Sequence, residues 1–301
     1  MPLPNTILIG AQKAGTSSLY DWIAQHPEVC GDISIKDFGF FAFDVHYSKG
    51  ADHLSDCILK YYKNEKVILH GSVQYIFYHN SLKRIKKYCP TAKFILILRD
   101  PVERLFSAFN YFKKMQLENE EDVILASINR RKDRENSEDI RIRNELTYIE
   151  HGLYAKQLKI FFKYFSAEQL HICFFNDLKE NKEETIKDIY KFLEVKDSFS
   201  PDFSKKNVTG EIRSNFLQKI FFKKNKLRRY VVDNFIDYFL PLQKRSRLRW
   251  KIKEWNTKKN IESENEILSK KDKSRLLQYF IDDIEELEKM LHIDLDRWKR
   301  I

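Results

Sequence analysis

One lysine sits where it can meet an anion. The stretch Gly10-Ala-Gln-Lys-Ala-Gly-Thr-Ser-Ser18 is a loop of small residues carrying a single cation, Lys13. It follows the β-branched, apolar run Thr6-Ile-Leu-Ile9 and precedes Leu19, Trp22 and Ile23, which recur at helical spacing. A strand, a glycine-bounded loop and a helix start aim several backbone N–H groups at one point, where the helix dipole also favours negative charge. The chemistry this predicts is the holding of a phosphate.

The kind of phosphate site follows from where the lysine stands. A nucleotide-hydrolysing loop of the GxxxxGK[ST] type has its lysine directly after the second glycine. Here the Gly10 to Gly15 spacing fits, but Thr16 occupies that place and the lysine lies earlier, at Lys13. Such an enzyme also needs a magnesium-binding carboxylate at a strand end. The strongest strand of the chain, Lys93-Phe-Ile-Leu-Ile-Leu98, runs instead into Arg99-Asp100-Pro101. Pro101 suits the first turn of the following helix, whose apolar face is Val102, Leu105, Phe106 and Phe109.

These two stretches, ILIGAQKAGTSSLYDWIAQHPEV and KFILILRDPVERLFSAF, resemble the two nucleotide-binding motifs of the PAPS-dependent sulfotransferases, in particular the carbohydrate and heparan-sulfate-like branch and its bacterial relatives. The resemblance implies that Gly10, Gln12, Lys13, Ala14, Gly15, Thr16 and Ser17 hold the 5′-phosphosulfate of PAPS, and that Arg99 and Ser107 hold its 3′-phosphate. Lys13 would neutralise charge growing on the bridging oxygen as the S–O bond breaks, and PAP would be the by-product. Arg104 is read as pairing locally on its helix, and Arg99 has Asp100 and Glu103 as rival partners. No metal is expected.

The other motifs match less closely. Lys36-Asp-Phe-Gly-Phe-Phe41 resembles a family stretch with a glutamate as general base; here Asp37 stands in its place, one methylene shorter. His70-Gly-Ser-Val-Gln-Tyr75 keeps the family's serine and tyrosine, but His70 replaces a glutamate and Gly71 a lysine of the heparan-type enzymes. His70 titrates near neutral pH and is a candidate auxiliary base. Tyr154 is assigned by the resemblance to the cofactor or acceptor cleft. Gly210 and Arg213, in Lys206-Asn-Val-Thr-Gly-Glu-Ile-Arg213, are assigned to a loop closing over the cofactor.

Elements must be arranged around these residues. Strand runs Lys66–Gly71, Lys93–Leu98 and Leu170–Phe175 alternate with helical stretches at Leu54–Lys63, Ser81–Tyr88, Gly152–Phe165 and Glu184–Leu193. The fold class expected is α/β: a P-loop-like three-layer αβα fold with a central, mainly parallel sheet and helical C-terminal additions. Residues 1–301 read as one sulfotransferase domain, with 219–259 a basic, aromatic-rich helical insertion and 260–301 a C-terminal helix, Lys270–Leu291, packed on the core. Glu118–Arg143 mixes both signs of charge and reads as a solvated helix and loop.

The chain has 301 residues and a formal net charge of +10, which favours an acidic partner. Lys205–Lys259 holds seventeen basic and four acidic residues, so the excess belongs there. That stretch suits a glycan or glycolipid acceptor, or an anionic membrane surface. Nucleic acid ranks low, because no zinc spacing, RNP-like pattern or helix-turn-helix signature accompanies the charge. The four cysteines form no metal pattern and read as free thiols of a reducing compartment. Without a leader-like N-terminus or an 18-residue apolar run, the expectation is a soluble cytoplasmic protein able to associate with a membrane. A catalytic domain trimmed from an anchored protein would read the same and belong in the Golgi lumen. The reaction expected is sulfuryl transfer from PAPS to a hydroxyl, less readily an amine, of a carbohydrate. The rival readings are a catalytically degenerate protein of this fold that binds an anionic glycan or membrane, and a P-loop nucleotide kinase.

Overall fold

A run such as Phe94 to Leu98 can be fully apolar only if both of its faces are covered, and all five residues are buried. The computed structural model describes residues 2–138, 140–204, 211–212, 255, 257–258 and 268–301. In chain order the core begins with β1 (Thr6–Gly10), α1 (Thr16–Ala24), β2 (Val29–Cys30), α2 (Asp44–Tyr47), α3 (Gly50–Ile58) and β3 (Val67–Gly71). It continues with α4 (His79–Tyr88), β4 (Lys93–Leu98), α5 (Pro101–Lys114), α6 (Arg131–Glu135), α7 (Ile140–Glu145) and α8 (Tyr154–Phe161). Then come β5 (Leu170–Phe174), α9 (Phe175–Glu180), α10 (Lys182–Leu193), a two-residue ladder of β6 (Glu211–Ile212) and β7 (Thr257–Lys258), and α11 (Lys270–Leu277), α12 (Ile281–Leu291) and α13 (Asp296–Lys299).

The main sheet has five strands in the order β2-β3-β1-β4-β5. Every neighbouring pair in it is parallel. β1 is therefore central, and the chain crosses from β3 on one side of it to β4 on the other. Crevices at such crossings, beyond the carboxyl ends of the strands, are where ligands of open α/β sheets sit. Both phosphate motifs start there, one after β1 and the other after β4. Helices bury the sheet: Tyr190 of α10 donates its hydroxyl to the Trp22 carbonyl of α1 at 3.2 Å, while Phe161 of α8 lies edge-on to Phe94 of β4.

Three expectations change. The C-terminal helix is two, because the chain turns at Phe280, which is wholly buried, and restarts with α12. The restart lets Asp283 accept from the Ala155 and Lys156 N–H groups at the start of α8, at 2.9 and 3.1 Å. The short edge strand β2 went unread, since two residues carry no periodicity. The charged stretch 118–143 is not merely solvated. Arg134 and Glu118 pair at 2.8 Å with side chains only 9% and 2% exposed, and the Tyr148 hydroxyl donates to the same carboxylate at 2.7 Å. All four cysteines are free and buried. No helix among the described residues is long and apolar enough to cross a membrane. The insertion 219–259 and the loop with Gly210 and Arg213 lie outside the described residues, apart from Glu211, Ile212, Trp255 and β7.

Candidate active site

The loop after β1 is built on two backbone positions. Gly15 stands immediately before α1 with φ 91°, a region that costs a side-chain-bearing residue about 1–2 kcal/mol. A Cβ there would also lie 3.0 Å from Phe175 Cδ2. Lys13 itself has φ 64°. The first N–H groups of any α-helix lack intrahelical acceptors, and α1 has no side-chain cap at this end. With the Thr16, Ser17 and Ser18 hydroxyls they form a donor set suited to an anion. Gln12 and Ala14 are buried beneath the loop.

The second motif leans on the first. Arg99, at the end of β4, donates from Nη1 to the Lys13 carbonyl at 3.3 Å. It stacks over the Phe175 ring at 4.5 Å and reaches Glu103 Oε2 through Nε and Nη2 at 3.3 and 3.2 Å. Asp100 caps α5 by accepting from the Val102 and Glu103 N–H groups at 2.8 and 3.2 Å. Ser107 is half-buried on the second turn of α5. The donor chemistry of Lys13, Arg99, Ser107 and the α1 terminus fits a ligand with two separated phosphate groups.

Two residues take places that the sequence did not suggest. Arg104 does not pair along its helix. It is fully buried and donates to Gln12 Oε1 at 3.4 Å and to the Tyr148 carbonyl. Tyr154 is buried too; its hydroxyl donates to the Arg99 carbonyl at 2.8 Å, so it supports Arg99 from behind.

Asp37 lies on a loop held against the end of β3. Its N–H donates to the Gly71 carbonyl at 2.8 Å, which pins the loop to the end of β3. Its φ is 67°. One carboxylate oxygen lies 2.9 Å from Lys36 Nζ and the other accepts from the Val73 N–H at 3.1 Å. Its side chain remains 47% exposed while that of Lys36 is 2% exposed. His70 is buried in β3 with Nε2 at 2.7 Å from the Tyr75 hydroxyl. Burial pushes its pKa down to about 4, with the Asp37 charge opposing and the Lys36 charge assisting.

Lys36 and Tyr111 were not singled out in the sequence. Lys13 Nζ lies 4.1 Å from the Tyr111 ring centroid. Burial, then the negative charges of Asp37 and Glu145, raise the Tyr111 hydroxyl to about 12. The signal was available: positions 104, 107 and 111 share one face of α5 at three- and four-residue spacing.

Comparison with known proteins bears on the family and the fold. A family profile described as "Sulfotransferase domain" matches residues 3–255. The bifunctional heparan sulfate N-deacetylase/N-sulfotransferase 1 of Caenorhabditis briggsae is 22% identical over 199 residues, 64% of this chain and 23% of that protein. The membrane-associated sulfotransferase kil1 of Dictyostelium discoideum is 33% identical over 111 residues, 36% of this chain and 23% of that protein. Heparan sulfate glucosamine 3-O-sulfotransferase 5 of Mus musculus is 26% identical over 170 residues, 56% of this chain and 47% of that protein. The chain thus spans less than half the length of each of these relatives. The crystal structure of a sulfotransferase from Alicyclobacillus acidocaldarius shares the fold, with a TM-score of 0.68 over 100% of both chains at 21% identity. A profile match over most of the sequence, joined to that shared fold, places the chain in the sulfotransferase domain family.

Proposed function

We propose that this protein transfers a sulfuryl group from PAPS to a hydroxyl of a carbohydrate acceptor and releases PAP. The observation that carries the reading is the junction of the two phosphate motifs, in which Arg99 donates to the Lys13 carbonyl and packs on Phe175, the ring that also meets Gly15. Bound PAPS would supply an activated sulfuryl group on its 5′-phosphate. The α1 N-terminus, Thr16 and Ser17 hold that phosphate, and the Lys13 ammonium neutralises charge at the bridging oxygen as it leaves. Arg99 and Ser107 hold the 3′-phosphate by charge-assisted hydrogen bonds, and Gly210 and Arg213 are assigned to the closing loop.

Asp37 accepts the proton of the acceptor hydroxyl. Lys36 and the Val73 N–H fix its rotamer and leave half of the side chain open to the acceptor. His70 stays neutral and orients Tyr75 rather than exchanging protons with the acceptor. A carbohydrate acceptor is favoured by the heparan sulfate enzymes among the relatives, and a glycolipid at an anionic surface suits the basic stretch 219–259.

Calorimetry with PAP and with ATP tests the donor site. PAP should bind and ATP should not compete, with Lys13→Ala and Arg99→Ala each weakening PAP. Absence of PAP binding in the wild type would refute the assignment. Transfer of labelled sulfate onto a panel of oligosaccharides and glycolipids tests the acceptor. PAP binding without transfer to any of them would favour the degenerate, glycan- or membrane-binding alternative.

A further inference from the structure

A buried guanidinium normally faces a carboxylate, because an unpaired charge out of water is costly. Arg104 does not. Its side chain is fully buried, yet among the described residues it forms no ion pair. Its two hydrogen-bond partners are neutral: the Gln12 side chain in the loop after β1, and the Tyr148 carbonyl. Its Nε has no hydrogen-bond partner at all. Among the charges acting on it, Arg99 repels it, and Glu150, which Arg131 engages, acts more weakly in the opposite sense. Burial accordingly lowers its pKa to about 10.

Its location gives this uncompensated charge a use. It sits on the first turn of α5, within the second phosphate motif that also holds Arg99. It touches the 5′ loop through Gln12. We infer that Arg104 is an electrostatic positioning residue for a nucleoside bisphosphate. Its positive charge, left unpaired by the protein, is completed by the phosphates of the ligand, while its fork holds Gln12 and thereby the loop. This rests on the phosphate-binding reading above. The chain thus keeps a cation behind the site, shielded from water and from salt, in addition to Lys13 and Arg99 at its surface. Ligand binding should then relieve an internal strain of the apo protein.

The test compares Arg104→Met and Arg104→Lys with the wild-type full chain, measuring apo melting temperature and PAP affinity separately, each at low and high salt. Arg104→Met removes the charge at similar volume. We expect it to leave the apo protein about as stable as before and to weaken PAP by roughly tenfold or more, since the ligand loses a partner held at low dielectric. Arg104→Lys keeps the charge without the fork and should bind PAP within about threefold of wild type while melting lower. PAP affinity unchanged in a folded Arg104→Met protein would overturn the inference. If that variant does not fold, a folded Arg104→Lys protein that loses PAP about tenfold at both salt concentrations would overturn it, because fork geometry and not charge would then be responsible. Failure of the wild type to bind PAP would instead remove the functional reading on which the inference rests.

Discussion

Asp37→Asn separates chemistry from architecture. Asparagine is among the few residues that tolerate the left-handed backbone found at position 37, where φ is 67°. Its amide oxygen can still accept from the Val73 N–H, which now lies 3.1 Å from the carboxylate. What it loses is the negative charge. Two consequences follow, and they differ in size. Lys36, whose side chain is 2% exposed, loses its counter-ion. Breaking a fully buried pair costs about 3–5 kcal/mol. Asp37 is 47% exposed, so solvent screening reduces this to roughly 1–2 kcal/mol. The proton acceptor also disappears, and a positioned general base is worth about 10²- to 10⁴-fold in rate. The assay is steady-state sulfate transfer with PAP affinity measured on the same preparation. The expected outcome is kcat lower by at least about a hundredfold, PAP affinity nearly unchanged and a lower melting temperature. The double variant Lys36→Met, Asp37→Asn should recover the melting temperature but not the rate. Turnover within about threefold of wild type in the folded single variant would refute Asp37 as the base.

Other expectations follow from the same contacts. Glu103→Gln removes the carboxylate that holds Arg99 Nε and Nη2; an exposed pair of this kind is worth about 0.2–1 kcal/mol, so PAP affinity should rise by no more than about fivefold, read by calorimetry. Gly15→Ala should destabilise by at least about 1–2 kcal/mol from its backbone angle alone, and adding Phe175→Leu should relieve the 3.0 Å contact without restoring full stability in denaturant titration. His70 has a folded pKa of about 4, below its unfolded value of about 6.5. Its neutral form is favoured by folding, so its contribution to stability is full above about pH 6.5 and is lost as pH falls toward 4. His70→Gln should therefore flatten the fall in melting temperature across that window, and it should leave the acidic limb of the pH–rate profile in place if Asp37 is the base.

The parts of this protein that announce themselves in sequence are those whose cause is local. The apolar run Phe94 to Leu98 needs a covered strand, the small-residue loop from Gly10 to Ser18 feeds a helix start, and Pro101 fits the first turn of a helix. What sequence concealed are contacts between distant segments. Arg104 looked like a surface partner for its helix neighbours, because nothing in its heptad shows that Gln12 and Tyr148 close over it. Glu118 and Arg134 looked solvated for the same reason: a mixed-charge stretch is usually a wet one, and only the fold buries this pair. The break at Phe280 escaped notice because Leu276, Leu277, Ile284 and Leu287 keep helical spacing across it.

The departures around Asp37 make sense together once the packing is known. At position 71 a side chain has little room. A Cβ would lie 3.2 Å from both the Leu8 carbonyl and Tyr20 Cδ2, and the Gly71 carbonyl is already committed to the Asp37 N–H. Glycine there allows the aspartate loop to approach the strand end closely. The cation beside the carboxylate is its sequence neighbour Lys36, at 2.9 Å. A glutamate at position 70 would put a buried carboxylate near the Asp37 charge, and like charges in one site cannot both ionise readily. A neutral histidine bonded to Tyr75 avoids that conflict. Positions 37, 70 and 71 form one arrangement in space: an acid held against the strand end, a cation beside it and a buried histidine in the strand.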